Sequence, residues 1–266
     1  MFENEYLTHE FFDVLPVVDG VITPCRFCQK IFQDVTKKPV WICPLGVNLD
    51  EFRFKPRSWS PKRGERFRWL FIGAPNYRKH SILEELHEVL FSRLPNEVEL
   101  YIKTTGASMD GTGEDVIQRA NWTVDNRSLP TDQIVKLHHA SHGALSLHTG
   151  EGWGNFSMEC FASGLPLVVT DYSATQDFCN QENSFPVKTQ TASLGMFTDL
   201  TLRERVIVRT QVPDLMDTLR AVRDVMTDYP AALRKAQRAR QTAVGHSWDA
   251  SAKRLLDILD SPCLQN

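Results

Sequence analysis

The sequence has no apolar run approaching the ~18 residues that a bilayer span needs, which sets aside a transmembrane reading. Its first ten residues, Met1 to Glu10, carry acidic side chains and no apolar h-region, so a secretory leader is not expected and a cytoplasmic location is. Cysteine is sparse and scattered (Cys25, Cys28, Cys43, Cys160, Cys179 and Cys263), as suits a reducing compartment. Cys25-Arg26-Phe27-Cys28 is a lone C-x-x-C with no second pair to complete four zinc ligands, so free thiols on a helix are the simpler reading. The sequons at Asn121, Asn126 and Asn155 carry no meaning in a cytoplasmic chain. Charge of one sign is also missing: the formal net charge is -3, which argues against a general nucleic-acid coat and leaves only a local basic patch open.

What is present is an ordinary globular composition, 266 residues with 42% hydrophobic and 24% charged, enough for one to two domains. Strand-length apolar runs alternate with helical patterns. Strands are predicted at Val18 to Thr23, Val40 to Cys43, Arg68 to Gly73, Val98 to Lys103, Gly143 to His148 and Leu167 to Val169. Helices are predicted at Pro24 to Val35, Ser81 to Leu94 with Leu83, Leu86, Val89 and Leu90 on one face, Asp132 to His139, and from about Asn155. The tail reads as helical. Leu215, Leu219, Val222 and Met226 share a face, Arg234, Lys235, Arg238 and Arg240 read as a solvated face, and Ser247 caps a last helix with Trp248, Ala252, Leu255 and Leu259 on one side. This alternation predicts an α/β fold, a parallel sheet with helices on both faces.

Glu51 to Arg68 is locally basic, with Arg53, Lys55, Arg57, Lys62, Arg63, Arg66 and Arg68 against Glu51 and Glu65, and it holds Phe52, Phe54, Trp59 and Phe67. Aromatics interleaved with cations suit single-stranded nucleic acid or phosphate; an exposed linker punctuated by Pro56 and Pro61 is the plainer reading.

The densest signal is Glu151-Gly152-Trp153-Gly154-Asn155-Phe156-Ser157-Met158-Glu159. A strand ends near His148, a glycine-rich turn follows, and then a helix. The glycines allow tight turning and close approach of a ligand, and the helix start offers unpaired N–H groups and a positive dipole end to a diphosphate. Glu151 in the turn and Glu159 in the helix are carboxylates suited to sugar hydroxyls rather than phosphate.

This stretch resembles the E-x7-E motif of retaining glycosyltransferases of the GT-B fold, family 4. Glu151, Gly152, Trp153, Gly154, Glu159, Ala162, Gly164, Pro166 and Asp171 match it; Asn155 stands where an apolar residue is usual, Cys160 where Ala is, and Asp177 where Glu is frequent. Pro44 to Phe52 resembles the family's P-N-G-V-D turn, Phe71-Ile72-Gly73 with Arg78-Lys79-His80 its strand and basic loop, Leu129 to His142 its L-x-x-x-x-L-x-x-x-Y-x-x-A-D segment, and His246 to Asp249 the start of its last helix. The resemblance implies that Glu159 holds the nucleotide ribose, that Glu151 lies against the donor sugar, and that Lys79 stabilises the leaving diphosphate. Ala74 stands where the partner Arg is usual, and Arg78 is the candidate substitute. It further implies donor binding by Gly73, His148, Gly152, Trp153, Gly154, Asn155 and Phe156, with a nucleotide-diphosphate sugar as co-substrate and neither metal nor cofactor.

The same resemblance makes the chain short. It implies a remnant of the GT-B N-terminal domain at 1–40, a Rossmann-like nucleotide-sugar-binding domain at 41–245, and a closing helix and tail at 246–266. On this resemblance the rest of the N-terminal domain, which would hold the acceptor, is expected to be largely absent. The chain is then a transferase to a saccharide or a hydroxylated DNA base, or a donor-binding or non-catalytic module with a partner chain or self-association making up the other half.

Overall fold

A computed structural model describes residues 9–60, 64–73, 82–104, 115–199 and 204–261. The centre is a seven-stranded sheet. Its strands are β3 (Phe67–Ile72), β4 (Val98–Lys103), β5 (Val116–Gln118), β6 (Trp122–Asp125), β7 (Gly143–Ser146), β8 (Leu167–Thr170) and β9 (Phe185–Val187). The spatial order is β5-β6-β4-β3-β7-β8-β9, parallel throughout except for the β5/β6 pair. β3, β7 and β8 are near-continuous apolar runs because both faces of a parallel sheet are covered. Trp69, Phe71, Leu145 and Val168 point into one core with Leu86, Phe91 and Val222. Leu70, Ala144, Leu167 and Val169 point into the other with Phe161, Ala239 and Ala243. The two-residue alternation of a strand thus divides one sheet between two cores.

Val21–Thr23 (β1) and Val40–Ile42 (β2) form a separate parallel pair around the helix Arg26–Gln33. Thr189–Asp199 (β10) and Glu204–Pro213 (β11) form an antiparallel hairpin after β9. The α/β expectation holds, and the strand predictions for 98–103 and 167–169 lie on observed strands. β5, β6, β9 and the hairpin are additions that the sequence reading did not contain.

Three details correct that reading. The helix expected at 81–94 is described as Leu83–Leu86 running into a π-helical turn, His87–Phe91. The wider turn (Ser92 N–H to His87 O, 2.9 Å) brings Phe91 into the core beside Leu83 and Leu86 and leaves Val89 and Leu90 half-buried. The last helix, Trp248–Leu259, has its Ser247 cap (Oγ accepting the Ala250 N–H, 3.2 Å), but it is tied by Arg254 to Ile42 O at the end of β2 and by Ser251 to Pro44 O just beyond it, and it buries Ile258, while Trp248, Ala252, Leu255 and Leu259 face outward. On the helix Tyr229–Val244 the basic face is only partly solvated: Lys235 donates to Ser184 O at 3.0 Å and Arg240 to Ala162 O at 2.7 Å.

The basic segment is largely consumed by the fold. Arg57 donates to His138 O (2.9 Å), Ser141 O (3.2 Å), Ser163 O (2.7 Å) and Gly164 O (2.6 Å), which are the end carbonyls of helices Thr131–Ala140 and Asn155–Ser163. Lys55 donates to His139 O at 2.9 Å, Arg66 to Ala120 O at 2.6 Å, and Arg68 pairs with Glu99. Phe52 and Phe67 are core residues. Lys62 and Arg63 lie outside the described residues.

A cavity of about 810 Å³ opens at the amino ends of β3 and β4 among Trp59, Arg66, Arg68, Glu99 and His142. Here His142 Nδ1 accepts the Arg68 backbone N–H at 2.9 Å. Burial, and then the Arg68 cation, pushes its imidazole from 6.5 down to about 4. The fold therefore favours the neutral ring, a contribution that is complete above about pH 6.5 and is lost as the pH falls toward about 4. Urea midpoints are expected to drop across that window. His142→Asn, which keeps an acceptor but does not titrate, is expected to flatten that segment of the curve.

Candidate functional site

In chain order the parallel strands lie 3-2-1-4-5-6, so the direction of winding reverses between β3 and β7. Such a reversal leaves a crevice at the carboxyl ends of the two strands, where open α/β sheets take ligands. Gly73 ends β3, its N–H bonded to Lys103 O at 3.0 Å. Residues 147–154 leave β7 there and turn into the helix Asn155–Ser163.

The turn is held from below. The Glu151 N–H donates to Ser173 Oγ at 2.9 Å, and the Ala174 N–H donates to Glu151 O at 3.3 Å. Ser173 has φ +60°, and no other non-glycine residue among those described has a positive φ. Thr175 Oγ1 lies 3.3 Å from His148 Nε2 and donates to Thr170 O at 2.9 Å. Gly154 precedes the helix at φ +98°, where a Cβ would also lie 3.2 Å from Thr175 Cγ2. Gly154 has no side chain to cap that helix, so no cap side chain occupies the first-turn amides of Asn155, Phe156 and Ser157. Cys28 Sγ donates to Gly152 O at 3.8 Å, and Arg26 bonds Asp177 through its N–H (2.8 Å) and Nε (3.0 Å), which ties the β1/β2 unit to the same turn. Cys25 is the N-cap of its helix rather than a helical residue, with its sulfur accepting the Cys28 N–H.

The expected site residues separate into distinct places. Glu151 is buried in the turn at 8% exposure, and His148 is buried beside it. The Trp153 ring packs inward on Phe178 (5.1 Å) and His246 (5.6 Å), so it belongs to the core beneath the turn. Asn155 and Glu159 line a cavity of about 340 Å³ with Asn48, Phe52, Thr131 and Trp248. One wall is the 44–52 turn, where Asn48 Oδ1 accepts the N–H groups of Asp50 (3.1 Å) and Glu51 (3.2 Å), and the Val47 N–H bonds His246 O at 2.9 Å. Gly46 allows this contact, because a Cβ there would come within 2.5 Å of the Trp248 backbone. The structure thus puts Glu159 on the cavity and Glu151 in the adjoining turn. Arg78 and Lys79 lie outside the described residues. Among the described residues no three His, Cys, Asp or Glu side chains gather as a metal site, and no helix is long and apolar enough to cross a membrane.

Sequence reasoning missed Ser173 and His138. Nothing in composition marks a serine that will adopt a left-handed backbone. His138 was visible only as one position of a motif segment; it lies under Glu159, with Nε2 3.6 Å from Oε2.

Solved structures share this architecture. TarM aligns with 98% of the chain at a TM-score of 0.70 and 13% identity. A glycosyltransferase from Rickettsia africae aligns with 99% at 0.68 and 13%, and sucrose-phosphate synthase from Thermosynechococcus elongatus with 92% at 0.66 and 13%. The fold is that of the GT-B glycosyltransferases. The chain spans 49% of TarM, 69% of the Rickettsia protein and 59% of the synthase, so it accounts for about half to two thirds of each GT-B chain. No family model matches it, nor does any curated protein sequence.

Proposed function

We propose that the chain binds a nucleoside-diphosphate sugar in the β3/β7 crevice and transfers the sugar to an acceptor hydroxyl with retention of anomeric configuration. The observation that carries this reading is the uncapped helix start at Asn155, set at the sheet's winding reversal, with Glu159 facing a nucleoside-sized cavity one turn further on. Glu159 would accept hydrogen bonds from the ribose diol. Glu151 would face the donor sugar. The amides from Gly152 to Phe156, with Lys79 and Arg78, would stabilise charge on the departing diphosphate as the anomeric C–O bond breaks. Gly73 and Gly154 would let backbone approach the donor, and His148 would support the floor of the turn. In this reading cationic side chains and the helix dipole take the place of a metal.

The acceptor class proposed first is a saccharide; a DNA base is a weaker fit, since the described cations of the 51–68 segment are bound to protein acceptors. The division at residues 40 and 245 and a cytoplasmic setting belong to the same proposal. A second reading is a donor-binding module completed by a partner chain or a second copy.

The test is incubation with UDP-, GDP- and ADP-sugars, following free nucleoside diphosphate and the anomer of the product by NMR. Turnover with retained configuration is expected. Binding without turnover selects the module, and an inverted product refutes retention.

A further inference from the structure

His138 is fully buried on the helix Thr131–Ala140, its ring edge-on to Phe52 (5.2 Å) and Phe156 (5.5 Å). It touches polar groups on both sides. Nδ1 lies 3.9 Å from Cys160 Sγ and 3.5 Å from Ser163 Oγ. Nε2 lies 3.6 Å from Glu159 Oε2 and has no hydrogen-bond partner among the described residues. The Ser163 hydroxyl donates to Cys160 O at 3.2 Å, which leaves the Cys160 thiol as the donor facing Nδ1. That thiol stays protonated, because complete burial pushes it well above its ordinary value. Of the two neutral tautomers, the one with its proton on Nε2 points an N–H at the Glu159 carboxylate and leaves Nδ1 to accept from the thiol, whereas the other would set the Nε2 lone pair against a carboxylate oxygen, so the geometry favours Nε2–H.

A buried N–H without an acceptor is costly, and among the described residues the acceptor facing it is Glu159 Oε2. The 3.6 Å separation closes with a small rotation of the glutamate, the kind of tightening that ligand binding brings to a loosely set site. The Glu159 side chain is 26% exposed, so one oxygen can stay on His138 while the other faces the cavity.

We propose that His138 is a positioning residue that orients Glu159 through Nε2–H, so that nucleotide affinity depends on a ring the nucleotide does not touch. This rests on the ribose role proposed for Glu159. A relay Cys160–His138–Glu159 then runs from the core to the cavity, and it explains why the cysteine and histidine occur together behind the glutamate.

The test is titration of UDP, GDP and ADP into the native chain and variants. His138→Phe keeps the ring contacts with Phe52 and Phe156 but has no N–H; it is expected to weaken the bound nucleotide about 10-fold with an unchanged melting temperature, the size of one hydrogen bond to a charged group. His138→Gln, which restores an N–H near Nε2, is expected to stay within about 3-fold of native. In the Glu159→Ala background, His138→Phe is expected to have no further effect. Native-like binding by His138→Phe while Glu159→Ala loses binding overturns this inference and leaves the proposed function standing. Native-like binding by Glu159→Ala, or no binding of any of the three by the native chain, overturns both. If His138→Phe fails to fold, long-range 1H–15N NMR of the native protein decides. A proton on Nε2 whose resonance shifts when nucleotide is added is expected, and a proton on Nδ1 overturns the inference.

Discussion

Arg57→Ala is expected to lower the unfolding free energy by about 3–4 kcal/mol and the melting temperature by roughly 6–15 °C. One guanidinium holds the end carbonyls of two helices, His138 O and Ser141 O on one and Ser163 O and Gly164 O on the other, together with Lys55 O at 3.0 Å. Cations at helix C-termini are stabilising there, and this one is buried enough for its pKa to fall to about 10. Removing it strands several carbonyls at once, where water reaches them poorly. Arg57→Lys is expected to recover only part of the loss, because an ammonium has three donors and lacks the planar fork that spans both helices. Thermal or urea unfolding checks this; a loss under about 1 kcal/mol would show the carbonyls to be solvated.

Glu151→Ala is expected to cut sugar transfer by about 10²–10³-fold while leaving nucleoside-diphosphate binding within a few-fold of native. The reason is position. Glu151 is buried in the turn, fixed at its backbone by Ser173 and Ala174, while Glu159 lines the cavity separately. A carboxylate against the donor sugar stabilises the positive charge that develops as the glycosidic bond breaks, and it contributes nothing to the nucleotide. Steady-state turnover and nucleotide titration on the same variant check the split. Equal losses in both would place Glu151 in nucleotide binding or in holding the turn.

Much of this architecture is legible in the chain. Runs such as Trp69 to Ile72 and Leu167 to Val169 are apolar without interruption because helices cover both faces of the sheet. β5 and β6 escape because Val116–Gln118 and Trp122–Asp125 are short, lie toward the sheet edge and mix polar with apolar residues. The last helix shows the limit of periodicity: the pattern finds a face, but tertiary contacts choose Ser251 and Ile258 as the inward side. At the site, the glycine turn and both glutamates are local and can be read directly. The Trp153 ring direction, the Ser173 backbone and the His138–Glu159 contact arise where separate elements meet, so no spacing in the sequence encodes them.

The β3/β7 crevice is proposed as a nucleotide-sugar seat with Glu159 on the ribose. Calorimetric titration of UDP, GDP and ADP into the native chain and Glu159→Ala tests it most directly. Saturable binding of at least one nucleotide by the native chain is expected, with about 10–100-fold weaker binding by the variant, as for loss of a charged partner to a diol. Absence of binding to all three, or equal affinity in both proteins, would contradict it.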